Sequence, residues 1–147
     1  MDHTIVAAEL FTQGYNCAQA IAVAFADVTG LSKEDSARVV SAFGGGMGRL
    51  REVCGAVSGM FFVLSTLYGY DSPDPGAQKT LYATVQELAG QFREQAGSIL
   101  CREILKNPPS DPNPTPRTAE FYAKRPCARM VMIAAALLDD YIQAHPL

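Results

Sequence analysis

The sequence predicts an all-α protein, an irregular bundle of five to seven helices forming one domain over residues 1–147. Three observations carry that reading. Apolar residues recur at spacings of three and four in two stretches, Leu81, Val85, Leu88, Phe92 and Ala96 in one and Met130, Ala134, Leu137 and Tyr141 in the other. No pair of segments reads as strands, and no internal repeat is present. With 147 residues, 48% of them hydrophobic and 18% charged, the chain is long enough to bury roughly 68–70% of its unfolded surface, so it needs no disulfide or structural metal to fold.

Residues 4 to 13 carry Ile5, Val6 and Leu10 on a helical period that stops at Gly14, and Asn16 is the predicted N-cap of the next helix. From Cys17 to Val28, alanine at 18, 20, 22, 24 and 26 alternates with Gln19, Ile21, Val23 and Phe25. The alternation has the period of a strand. Both of its sides are apolar, however, and alanine favours helix, so a helix buried nearly all round and closed by Gly30 is expected. Ser32, with Asp35 three positions on, caps a third helix whose stripe is Val39, Val40 and Phe43 and which ends at Gly44-Gly45-Gly46.

Cys54 to Tyr68 reads as the apolar central helix, with Gly55 and Gly59 one turn apart on a face that something approaches closely. The uncharged stretch Val53–Tyr70 has glycines, hydroxyls and no anchors at both ends, which favours burial over a membrane span. Ser72-Pro73-Asp74-Pro75-Gly76 is a turn, followed by the amphipathic helix through Ala96; Gly97-Ser98 then restarts a short helix carrying Cys101. Residues 107–118 hold five of the nine prolines. Twelve such residues reach roughly 37 Å at about 3.1 Å each, and only the helix from about Pro126 to Gln143 follows, so the segment is an excursion within the domain.

Twelve Lys and Arg against fifteen Asp and Glu give a net charge of −3, which supplies no pull toward nucleic acid or anionic lipid. Met1-Asp2-His3-Thr4 places an acidic residue where a secretory signal would carry a basic one, so a cytoplasmic protein with reduced thiols is expected. The only histidines, His3 and His145, are expected at frayed ends, leaving none to serve as general base or to hold haem or zinc. CxxC, CxxCH and HExxH are absent. Gly44 to Arg49 lacks the Lys-Ser/Thr of a phosphate loop and reads as a connection that lets the backbone come close to a helix or cofactor.

Chemistry therefore rests on Cys17, Cys54, Cys101 and Cys127. Their separations of 37, 47 and 26 residues require any shared site to be assembled by the tertiary fold. Each falls at a predicted helix start, where free N–H groups and the macrodipole lower a thiol pKa below about 8.5. Seven of the twelve Lys and Arg lie within five positions of a cysteine: Arg49, Arg51, Arg102, Lys106, Lys124, Arg125 and Arg129. A zinc ion or oxidised [2Fe–2S] centre on four thiolates, formally −2, would need such counter-charge. Small buried cysteines flanked by ordinary surface residues are an equally good reading of these positions alone.

Gly14-Tyr15-Asn16-Cys17-Ala18-Gln19, Phe43-Gly44-Gly45-Gly46-Met47-Gly48-Arg49, Cys54-Gly55-Ala56-Val57-Ser58-Gly59, Cys101 and Cys127 together resemble the C-GCAxxG-C-C family of probable redox-active proteins, nearly end to end. Cys54 precedes Gly55 here, giving CGAxxG where the family name writes Gly before Cys. Similar cysteines occur in the C-terminal part of split-Soret cytochromes, where an iron–sulfur centre has been suggested; this chain lacks their haem-attachment motif, so haem is not expected. The resulting expectation is a small redox protein in which Cys17, Cys54, Cys101 and Cys127 converge as ligands of an iron–sulfur cluster for electron transfer, with Arg49, Gly55 and Gly59 beside it. Two alternatives stay open, a metal-free thiol/disulfide protein using the same cysteines and a structural four-cysteine zinc site. Neither the redox partner nor homo-oligomerisation can be read from the sequence.

Overall fold

Local capping fixes where the first helices begin. The Asp2 carboxylate accepts from the Thr4 backbone N–H at 2.9 Å and starts α1 (His3–Thr12). A reciprocal capping box starts α2 (Cys17–Ala24): the Gln19 N–H donates to Asn16 Oδ1 at 2.9 Å, and the Asn16 N–H donates to Gln19 Oε1 at 3.1 Å. The computed structural model describes residues 2–147. It continues through α3 (Ala26–Thr29), α4 (Lys33–Val39), α5 (Gly44–Met47), α6 (Gly55–Tyr68), α7 (Pro75–Ala96), α8 (Cys101–Ile104), α9 (Ala119–Lys124) and α10 (Cys127–Ala144).

Among the described residues, the only β pairing is the isolated bridge between Val53 and Leu100, so the chain is all-α. Five helices of eight or more residues form the body, and one- and two-turn pieces raise the total above the expected five to seven. α2 lies against α1 and α6, and α10 lies against α1, α6 and α7. Their facing stripes build one apolar core that includes Phe11, Ile21, Met60, Leu88, Phe92 and Leu138. None of the helices described is long and apolar enough to cross a membrane.

The close neighbour of the two glycines in α6 is α2. A Cβ on Gly59 would lie 2.9 Å from both Ala18 O and Ile21 Cβ, and one on Gly55 would lie 3.1 Å from Ala18 N and Cys17 Cβ. These contacts set the depth at which Cys17 sits beside α6.

Several expectations are corrected. The alanine-rich helix breaks at Phe25, whose ψ of 11° ends the helical run and divides it into α2 and α3. Val40 also leaves the helical region, so Val40 is buried and Val39 is exposed, which shifts the α4 stripe. α9 was not expected; it is under two turns long and starts where Thr118 Oγ1 accepts from the Phe121 N–H at 3.1 Å. The largest correction concerns His3, expected at a frayed end. It is 4% exposed and stacks on Phe25 with centroids 4.1 Å apart, because the Asp2 cap starts α1 at residue 3 and docks that end on α10.

Candidate functional site: a cysteine cavity walled by arginines

Helix starts present all four cysteines. Cys17, Cys101 and Cys127 are the first residues of α2, α8 and α10, and Cys54 is the N-cap of α6. Two strands of loop are then drawn together. The Cys54 N–H donates to Ile99 O at 2.7 Å and the Cys101 N–H donates to Glu52 O at 2.6 Å, which seats Cys54 and Cys101 side by side in the fold. All four cysteines are free thiols and line one cavity of about 500 Å³, within the size range of small-molecule sites.

The glycine run shapes one wall of this cavity. Gly45 and Gly46 have φ of 67° and 73°, and Met47, Arg49 and Arg51 share left-handed values, a backbone that costs non-glycine residues on the order of 1–3 kcal/mol each. A Cβ on Gly46 would lie 2.6 Å from Cys101 Cβ and 2.8 Å from the backbone of Arg51. Gly46 is therefore needed for the turn to pack on Cys101, and this close approach carries Arg51 inward.

Arginine closes the opposite wall. Arg49 Nε donates to Asp111 O and Arg49 Nη1 to Thr115 Oγ1, both at 2.8 Å, and Arg51 Nε donates to Pro109 O at 2.9 Å. These bonds tie the proline-rich segment 107–118 across the cavity, where Pro112, Pro114 and Thr115 line it. Arg117 donates from Nη1 to Phe11 O at 3.0 Å and from Nη2 to Tyr15 O at 3.1 Å, with its guanidinium 4.4 Å from the Phe11 ring centroid. Arg125 stands over the Phe121 ring at 5.3 Å.

Of the seven basic residues near cysteines in sequence, Arg49, Arg51 and Arg125 line the cavity. The others do not: Arg102 pairs with Glu52, Lys124 pairs with Glu120, Arg129 donates to Gln95 O, and Lys106 is exposed. Arg117, which lines the cavity, was missed because it is ten residues from the nearest cysteine. The loop between Pro116 and Thr118 offers no periodic signal, and the aromatic residues that hold Arg117 come from α1 and α9.

The thiols titrate very differently. Cys127 is lowered to about 7, first by the neighbouring Cys17 thiol and then by Arg125, Arg117 and Arg51; burial opposes them. Cys17 is raised well above its ordinary value by the neighbouring Cys127 thiol and by burial. Burial pushes Cys54 up to about 12 despite the Ala56 and Val57 N–H groups, and raises Cys101 despite Arg51 Nη1, 3.5 Å from its sulfur. The expectation that every helix start lowers its thiol therefore fails at three positions. At Cys54 and Cys101 desolvation outweighs the dipole, and at Cys17 the neighbouring Cys127 acts in the same direction as burial.

As placed, the donors do not fit a single metal ion: among the described residues, no three His, Cys, Asp or Glu side chains are grouped to hold one. The fold and site define a helical protein that lines one cavity with four free cysteines and surrounds them with guanidinium groups. Residues 15–141 match the family described as "Putative redox-active protein (C_GCAxxG_C_C)", and the chain belongs to that family. No curated protein and no solved structure matches the chain.

Proposed function

We propose that the protein is a dithiol redox protein in which Cys17 and Cys127 cycle between two thiols and one disulfide. The observation that carries this reading is that Cys17 and Cys127, 110 residues apart in sequence, open α2 and α10 onto one cavity, where each is the largest influence on the other's titration. Cys127, poised near neutral pH, suits attack on a disulfide, since the best attacking thiol has a pKa close to the ambient pH. Cys17 keeps its proton and serves as the resolving thiol. Formation of the disulfide removes two electrons and two protons from the pair and passes them to a disulfide substrate. Cys54 and Cys101, both raised by burial, stay reduced beside it.

Exposure of the reduced protein to a small disulfide tests this. Free thiols should fall from four to two, and a peptide map should join Cys17 to Cys127. Alkylation of Cys127 should rise through a midpoint at about pH 7, because its thiolate is lost as pH falls through that value. Cys17→Ala removes the thiol that lowers it and should move the midpoint upward. Four thiols that resist oxidation, or a disulfide between other cysteines, would overturn the assignment.

A second reading draws support from the shared cavity: closing in from their present positions, the four thiolates would hold an iron–sulfur cluster, with the arginines offsetting its charge. Protein purified without oxygen would then be brown, with iron and acid-labile sulfide that Cys54→Ser removes. Colourless protein with stoichiometric zinc would favour the structural site.

A further inference from the structure

The cavity carries more positive charge than its thiols can balance. No Asp or Glu lines it, and among the described residues Arg51, Arg117 and Arg125 have no carboxylate partner, against the single thiolate of Cys127. Arg51 is the sharpest case. It is 5% exposed, its Nε and Nη1 reach only a carbonyl and a sulfur, and its Nη2 is buried with no hydrogen-bond partner among the described residues. Leaving a buried charged donor unpaired is costly, and a left-handed backbone at Arg51 adds to that cost. A fold that maintains such a donor in the cavity that holds its reactive sulfur is built to receive an anion.

Resting on the dithiol reading, we infer that the substrate is a small disulfide bearing a carboxylate, and that Arg51, with Arg125 lining the same cavity, binds that carboxylate. Arg51 Nη2 is free to donate to a carboxylate oxygen, and the Arg125 guanidinium, over the Phe121 ring, adds positive charge to the same cavity. The Cys127 thiolate attacks one substrate sulfur, the substrate S–S bond breaks, and the first half leaves as a thiolate that takes up a proton. The second half remains as a mixed disulfide on Cys127. Cys17 then gives up its proton and attacks the Cys127 sulfur, releasing the second half as a thiol. Two electrons pass from the Cys17–Cys127 pair to the substrate, and two small thiols are formed.

The test compares oxidation of the fully reduced protein by 3,3′-dithiodipropionate and by neutral 2-hydroxyethyl disulfide. Repulsion by the Cys127 thiolate would disfavour the anion, whereas recognition by Arg51 should favour it by about tenfold or more. Arg51→Met should bring the ratio toward one. Sodium propionate, which carries no disulfide, should raise the melting temperature of the unaltered protein and compete with dithiodipropionate, while propionamide should do neither; this arm holds even if the variant fails to fold. Equal rates for the two disulfides with no propionate effect would overturn the anion site and leave the dithiol reading standing. A propionate effect with no oxidation by either disulfide would overturn the dithiol reading and keep the anion site.

Discussion

Two basic side chains are buried to nearly the same degree, His3 at 4% exposed and Arg51 at 5%, in very different company. His3 Nδ1 lies 2.5 Å from Asp139 Oδ1, and His3 Nε2 lies 3.0 and 3.1 Å from the two oxygens of Asp27. Its backbone N–H donates to Asp139 Oδ2 at 2.9 Å, so every polar atom on offer is matched. Among the described residues, Arg51 meets only neutral acceptors and keeps one nitrogen unmatched. Asp139 follows Cys127 by twelve residues on α10, a distance of roughly 18 Å along one helix. One end of that helix therefore closes its polar groups on each other to hold α1 in place, and the other opens onto the cavity in which Arg51 keeps a donor free.

The largest test of this contrast is His3→Ala. It would leave two carboxylates facing one another and a void beside Phe25, and should cost about 2–3 kcal/mol in urea unfolding, less than a fully buried pair because Asp27 and Asp139 reach solvent. Cys17–Cys127 oxidation should be unaffected in the folded variant. A loss below about 0.5 kcal/mol would place His3 outside the structural framework.

Gly59→Leu comes next. Its side chain would have to displace Ala18 and Ile21, and overpacking of this kind costs about 1–3 kcal/mol. Because α2 carries Cys17, the same change should slow disulfide formation with Cys127. Unaltered stability together with an unaltered rate would show that the α2–α6 contact does not set the position of Cys17.

How much of this was legible in the sequence follows from the range of each interaction. Asn16 and Pro126 beside Cys17 and Cys127 marked helix starts, because capping acts over three or four residues. The closeness of α2 was foreshadowed by Gly55 and Gly59, whose missing side chains are visible in the sequence itself. Burial of His3 and recruitment of Arg117 were not, since the carboxylates that hold His3 and the carbonyls that hold Arg117 lie 24 to 136 residues away. The direction of the thiol shifts depended on the competition between desolvation and neighbouring charge, which only the packed cavity decides. Charge density near cysteines was a poor guide for the same reason: Arg102 and Lys124 found carboxylates close at hand and turned outward.

Arg51→Met should have a smaller effect on stability than either change above. It removes two hydrogen bonds but also an unpaired buried charge, and these oppose each other, so unfolding free energy should stay within about 1 kcal/mol of the parent. A loss as large as that of His3→Ala would mean that Arg51 is a structural anchor for the proline-rich loop and that its open nitrogen has no functional meaning.

The smallest effect separates the two carboxylates on His3. Asp27 is 44% exposed and meets only the ring, so water screens its charge, and asparagine retains an oxygen that can still accept from Nε2; Asp27→Asn should cost about 0.5 kcal/mol or less. Asp139 is 23% exposed and accepts from both the His3 ring and the His3 backbone, joining the first turn of α1 to α10. An amide cannot accept at both of those positions, because one of its two terminal atoms is a donor. Asp139→Asn should therefore cost about 1–2 kcal/mol and loosen amide-exchange protection in the first turn of α1, while Asp27→Asn leaves that protection in place. Equal losses from the two substitutions would show that charge around the ring, rather than the backbone tether, secures this end of the molecule. The contrast with Arg51 would then rest on the presence or absence of carboxylates alone.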